Sequence, residues 1–167
     1  MDVLFENSYV RDKKFAKDIY KYLYFHRVSI IVSYVFLSLF FCANILLWIF
    51  EEYYNLFVLV LVPSLFAFRL YSYFRSVKLM VKRDSEVHGK EVTVESVVTG
   101  EGIQSSVSTG SVSTLAIGNI KKAVNTKKFI LLHTEAKLLY IFPKDKFTKG
   151  NAEDFIKFLK DKGIKVK

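Results

Sequence analysis

The stretch VSIIVSYVFLSLFFCANILLWIF, from Val28 to Phe50, contains no charged residue. As a helix it is about 34 Å long, enough to cross a hydrocarbon core of about 30 Å. It is too long, and its charged lead too extended, for the apolar segment of a cleavable signal peptide. After the short polar turn EEYYN (Glu51–Asn55), LFVLVLVPSLFAF runs from Leu56 to Phe68, followed by Arg69 and then LYSYF up to Phe74. Two apolar runs joined by a minimal turn predict a transmembrane helical hairpin over residues 28–76, with spans at about 28–50 and 53–74.

Outward from the hairpin the composition inverts. Apolar residues gather between Val28 and Phe74, and the charges lie almost wholly outside. A single water-soluble core would mix both classes along the chain at period 2 or 3.6. The net charge is +9, from 25 Lys and Arg against 16 Asp and Glu. That excess favours an anionic partner, and beside a membrane the lipid headgroup is expected before nucleic acid. Arg11, Lys13, Lys14, Lys17, Lys21 and Arg27 precede the first span. Arg69, Arg75, Lys78, Lys82 and Arg83 fall at or after the end of the second, whereas the turn between has two glutamates and no base. The positive-inside rule therefore places both termini in the cytoplasm and the turn outside. Trp48, Tyr53 and Tyr54 would mark the outer interface, and Tyr22, Tyr24, Tyr71 and Tyr73 the inner one.

Three residues in the spans invite a role in contacts within the membrane. Asn44 predicts an interhelical hydrogen bond of about 1 kcal/mol. Pro63 predicts a kink that neighbouring groups absorb. Arg69 lies roughly 24 Å along its helix, where its guanidinium is expected to reach the headgroups rather than line an ion pathway. Cys42 is the one cysteine, so no intramolecular disulfide forms, and within the span it reads as a small apolar group.

The cytoplasmic segment 1–27 combines a short strand, from the alternation at Val3 and Phe5, with a helical pattern at Phe15, Ile19, Tyr22 and Leu23. The spacing fits an amphipathic helix on the inner leaflet or an extension of the first span. Residues 77–86 read as a connecting helix. From residue 87 onward, EVTVESVVT, IQSSVS, SVSTLAI, IKKAVNT, KFILLHT and KLLYIF are short β-rich runs punctuated by turn residues. A C-terminal helix follows, with Asn151 as N-cap, Glu153 and Asp154 in its first turn and Gly163 at its end. The expectation is an α+β protein in which a curved antiparallel sheet of six or seven strands is covered by that helix.

The quoted run IKKAVNTKKFILLHT (Ile120–Thr134) and LLYIFPKDKFTKGNAEDFIKFLKDKG (Leu138–Gly163) resemble the C-terminal pattern of the YcxB-like proteins of bacteria. The hairpin upstream agrees with that family in layout. The resemblance implies a pleckstrin-homology-like (PH-like) antiparallel β-barrel, partly open and capped by the C-terminal helix, in a bacterial multi-pass cell-membrane protein. It implies no catalytic motif.

The residues themselves point away from catalysis. His26, His88 and His133 lack metal-ligand spacing. Gly100-Glu101-Gly102 is a turn rather than a nucleotide fingerprint, and neither a phosphate-binding loop nor a nucleophile elbow is present. The Ser/Thr run Ser105–Thr114 fits a half-exposed strand pair better than an anion site. The lysines Lys121, Lys122, Lys127, Lys128, Lys144, Lys146 and Lys149 are candidate contacts to an anionic surface, each contributing about 1 kcal/mol near a charged leaflet. The functional expectation is a non-enzymatic, cofactor-free and metal-free membrane-anchored binding or scaffold protein. Its partners would be the bilayer, anionic headgroups or another protein, with a homo-oligomer allowed and nucleic acid not expected. The alternative is an accessory subunit of a transport or signalling complex that packs through its hairpin.

Overall fold

The computed structural model describes residues 2–25, 28–51, 56–88 and 91–167. Residues 52–55 of the expected turn, with Tyr53 and Tyr54, lie outside these, as do His26 and Arg27. In chain order the elements are β1 (Val3–Val10), α1 (Lys13–Phe25), α2 (Val28–Glu51) and α3 (Leu56–His88). They continue as β2 (Thr93–Thr99), β3 (Gly102–Val107), β4 (Val112–Ala116), β5 (Ile120–Asn125), β6 (Phe129–Thr134), β7 (Leu139–Pro143), β8 (Phe147–Lys149) and α4 (Ala152–Asp161). The chain divides into two compact units, Asp12–Gly89 and the combination of Met1–Arg11 with Lys90–Lys167.

In the helical unit, α2 and α3 are long and apolar enough to cross a membrane. Phe36, Leu39, Ile49 and Phe50 on α2, with Phe57 and Phe68 on α3, are exposed. A helix apolar on all its faces belongs to the class found in large protein cores or in membrane spans. The two helices meet where Tyr34 and Phe66 stack at 4.6 Å. Helix α3 continues through Pro63 and takes in the segment 77–86. Pro63 has no N–H, so the carbonyl four residues earlier loses its helical donor. Helix α1 opens on Asp12, whose carboxylate accepts the Phe15 N–H at 2.6 Å, and it buries Phe15, Ala16 and Ile19. At its far end the Tyr24 hydroxyl shares a 2.9 Å hydrogen bond with Ser76, and Phe25 meets Tyr73 edge-on at 5.6 Å.

In the sheet unit, the N-terminal strand is an interior strand. The larger sheet has the order β4-β3-β2-β1-β8 and the smaller one β5-β6-β7. The antiparallel registers align two rows across four strands. Phe5, Val98, Ile103 and Leu115 form an apolar row, and Asn7, Ser96, Ser105 and Ser113 a polar row two positions away. The apolar row joins Ile130 and Leu132 of β6, Phe142 of β7, and Phe155 and Leu159 of α4 in one core. Phe155 is fully buried, 5.3 Å from the Phe5 ring and 4.9 Å from the Phe142 ring, so α4 touches both sheets. Phe129, Ile130, Leu131 and Leu132 of β6 are all buried, which explains why this strand lacks polar alternation.

The described strands form no closed barrel. Among the described residues, β1 to β8 form two sheets rather than one continuous ladder. The 3-10 turn Ile117–Asn119 redirects the chain after β4, and β5 pairs with β6 instead of continuing the first sheet. On its other side β5 takes the C-terminal tail, where Ala123 bridges Val166 in parallel and Asn125 N–H donates to the Lys167 carbonyl at 2.8 Å. At the opposite end of the larger sheet, β8 pairs with β1 at only Glu6–Lys149 and Asn7–Phe147.

Candidate functional site

The basic residues of the sheet unit are sorted by its turns. Thr126 closes the β5–β6 turn: its N–H donates to the Phe129 carbonyl, and its hydroxyl accepts the Phe129 N–H, both at 2.8 Å. That leaves Lys127 and Lys128 exposed at the tip. The Lys128 carbonyl accepts the Lys144 N–H at 2.9 Å, which brings the start of the 3-10 turn Lys144–Lys146 alongside. The tail bond to Asn125 adds Lys167 to the same end of the smaller sheet. Lys127, Lys144 and Lys146 form no ion pair with a described residue. Asp145 is the acid within this group.

The other candidate lysines are elsewhere. Lys121 and Lys122 lie along β5, with Lys122 opposite His133. Lys149 lies on β8 opposite Glu6, where a cross-strand partner of opposite charge offsets it. Lys167 was not apparent as a member of the group from sequence, because only the pairing of the tail with β5 takes it there.

The polar row contains few open groups. Ser96 and Ser105 share a 2.7 Å hydrogen bond while buried, and the Asn7 amide donates to the Pro143 carbonyl at 2.9 Å, tying β1 to β7. Ser105 thus faces inward, and this part of the Ser/Thr run serves packing. Two positions along β1, burial raises the Tyr9 hydroxyl above its ordinary value of 10.0, with Arg11 opposing through its charge and a hydrogen bond. Among the described residues no group of His, Cys, Asp and Glu is placed to hold a metal ion.

In the helical unit, Arg69 is turned onto the end of α1. Its Nε and Nη2 both donate to the Tyr24 carbonyl, at 3.0 and 2.9 Å. Such a fork on one of the last carbonyls of a helix satisfies an acceptor that has no helical donor. The guanidinium carbon lies 5.6 Å from the Tyr24 ring centre and 5.7 Å from that of Tyr34. The Tyr34 hydroxyl is buried and has no hydrogen-bond partner among the described residues. These residues flank a groove of about 390 Å³ between α2 and α3, which Ser72, Leu37, Leu65 and Phe68 also line. Asn44 donates to the Phe40 carbonyl of its own helix at 3.2 Å. Cys42 lines a separate apolar groove of about 530 Å³ with Val35, Leu39 and Leu70. Tyr34 was passed over in the sequence because a tyrosine in an apolar run is normally a packing residue.

The order of short strands, the Pro143 strand end and the capped α4 are the features on which the family resemblance rested. Residues 98–159 match the YcxB-like protein family. The YcxB-like segment runs from the end of β2 into α4 and contains the lysines of the basic end except Lys167. It leaves out β1, although β1 lies inside the sheet to which that segment contributes. No curated protein and no solved structure matches the chain.

Proposed function

We propose that this chain is a non-catalytic, membrane-anchored binding protein whose cytoplasmic sheet unit engages anionic lipid headgroups. The observation carrying this reading is the convergence of Lys127, Lys128, Lys144 and Lys167 at one end of the smaller sheet. Each basic group beside an anionic leaflet contributes about 1 kcal/mol, so a cluster of this size is enough for a salt-sensitive association. A PH-like character for the unit is supported by the way α4 packs on both sheets. Multi-pass topology is supported by the strand pairing: β1 precedes both apolar helices, β2 and β8 follow them, and all three share one sheet. Strands of one sheet lie in one compartment, which calls for an even number of crossings between them. The distribution of Lys and Arg then favours the cytoplasm for that compartment.

The test uses the full chain, because a fragment beginning at residue 87 lacks β1. A Lys127→Cys variant in a Cys42→Ser background carries an environment-sensitive fluorophore and is reconstituted with or without phosphatidylglycerol in phosphatidylcholine vesicles. A blue shift that needs phosphatidylglycerol, fades at high salt and weakens in Lys128→Gln/Lys144→Gln is expected. An emission indifferent to lipid charge would remove the headgroup reading. The second reading, an accessory subunit packing through its hairpin, is favoured by the apolar groove at Cys42. It predicts a specific integral-membrane partner crosslinked at that position in cells.

A further inference from the structure

The helical unit holds unused hydrogen-bonding capacity in an apolar setting. A guanidinium has five N–H donors, and Arg69 directs two of them to Tyr24. The rest are held near the rings of Tyr24 and Tyr34, which fix the plane of the group. On the same groove sits the Tyr34 hydroxyl, buried and unpartnered among the described residues, a condition native proteins rarely tolerate without a reason. Both groups can donate, and no carboxylate lines the groove to accept. Further along, the lining becomes Leu37, Leu65 and Phe68, and the last of these is exposed to the apolar surround.

We propose that Arg69 and Tyr34 bind the phosphodiester of an anionic phospholipid, one of whose acyl chains lies along the groove between α2 and α3. A phosphate suits the site because it offers several acceptor oxygens to the remaining Nη1–Nη2 edge of a fixed guanidinium, and charge-assisted bonds of this kind are the strong ones. The apolar continuation of the groove selects a lipid over free phosphate, since the latter would leave Leu37, Leu65 and Phe68 without an occupant. The volume falls within the range of small-molecule sites, about 300–1,000 Å³. This inference rests on the reading that the helices cross a bilayer, and it is independent of the lysines at the basic end.

Full-length chain extracted in a mild detergent is titrated with short-chain phosphatidylglycerol or phosphatidylcholine, and bound lipid is counted by native mass spectrometry. Phosphatidylglycerol is expected to be retained, one per chain, with a preference of about tenfold, because the quaternary ammonium of phosphatidylcholine offsets the charge of the same phosphodiester and is repelled by the Arg69 guanidinium. Arg69→Gln should abolish that preference. Because Arg69→Gln also releases the end of α1, Tyr34→Phe provides a variant that leaves the Tyr24 clasp in place. It should weaken retention by about fivefold, the loss of one hydrogen bond. Lys128→Gln/Lys144→Gln should retain lipid as the parent does. Equal retention of the two lipids, or a Tyr34→Phe/Arg69→Gln chain that binds as the parent does, would overturn the site while leaving the headgroup reading of the sheet unit intact. Recovery of the parent chain in the supernatant of carbonate-washed membranes would overturn both.

Discussion

Replacing Gly150 with alanine tests how firmly the first strand is held against the last helix. Gly150 has φ +71°, and a Cβ there would stand 2.5 Å from Cδ1 and 3.1 Å from Cε1 of Phe5. The ring has no easy retreat, because it packs 5.3 Å from Phe155 and 5.6 Å from Phe158. The left-handed backbone costs an alanine about 1–2 kcal/mol, and overpacking the ring adds about 1–3 kcal/mol, for a total of about 2–5 kcal/mol. Gly163 supplies the control: its φ is +78° and nothing lies within 4 Å of its Cβ position. Gly163→Ala should therefore lose only the backbone share, about 1–2 kcal/mol. Pulse proteolysis of the full chain across a urea series, in mild detergent, reads both. With a slope of about 1–2 kcal/mol/M, the midpoint should fall by roughly 1–5 M for Gly150→Ala and by roughly 0.5–2 M for Gly163→Ala. Shortening the ring with Phe5→Leu in the Gly150→Ala background should recover part of the difference. Equal losses at the two glycines would refute the argument that Phe5 is wedged against the approach to α4.

The same assay reaches other contacts. Asn151 accepts the Asp154 N–H at 2.8 Å as the N-cap of α4, so Asn151→Ala should cost about 1 kcal/mol. Ser96→Ala strands the buried Ser105 hydroxyl at a cost of about 1–3 kcal/mol. Ser96→Ala/Ser105→Ala should then cost less than the two single changes combined, which a double-mutant cycle measures. For Tyr9, burial favours the neutral phenol, so the folded state holds the proton more tightly than the unfolded chain does. Its contribution is whole below about pH 10 and declines as pH rises from there toward the folded value. Tyr9→Phe should flatten that alkaline fall in the urea midpoint.

Local features were legible in the sequence, and distant pairings were not. Charge-free runs, β-rich runs between turns, and the Asn151 cap with Gly163 at the helix end each depend on neighbours within a few residues, and the elements formed there. Alternation at Val3 and Phe5 indicated a strand but could not name its partners, because β2 lies beyond two long helices and period 2 fixes only which face is inward. The extra strand β8 was hidden in Phe147–Lys149, too short to show any period. The lysines divide for the same reason. Lys128 and Lys144 meet through the register of β6 with β7, which no spacing rule specifies. Arg69 stood out by its charge, yet its attachment to a main-chain carbonyl leaves no mark in side-chain identity.

The place of β1 between β2 and β8 also sets a timetable for biosynthesis. Its residues are made before the two long helices, its first neighbour is complete only once Thr99 has been added, and its second only at Lys149. At about 5–20 residues per second, the wait for β2 is on the order of 10 s, during which Val3–Val10 has no ladder to join. A nascent strand with both edges open is prone to pairing with other chains. Ribosome stalling or a premature stop before β2 would leave the product in that state, and one between β2 and β8 would leave one edge of β1 open, so the burden on quality control falls on Val3–Val10 rather than on the strands made last.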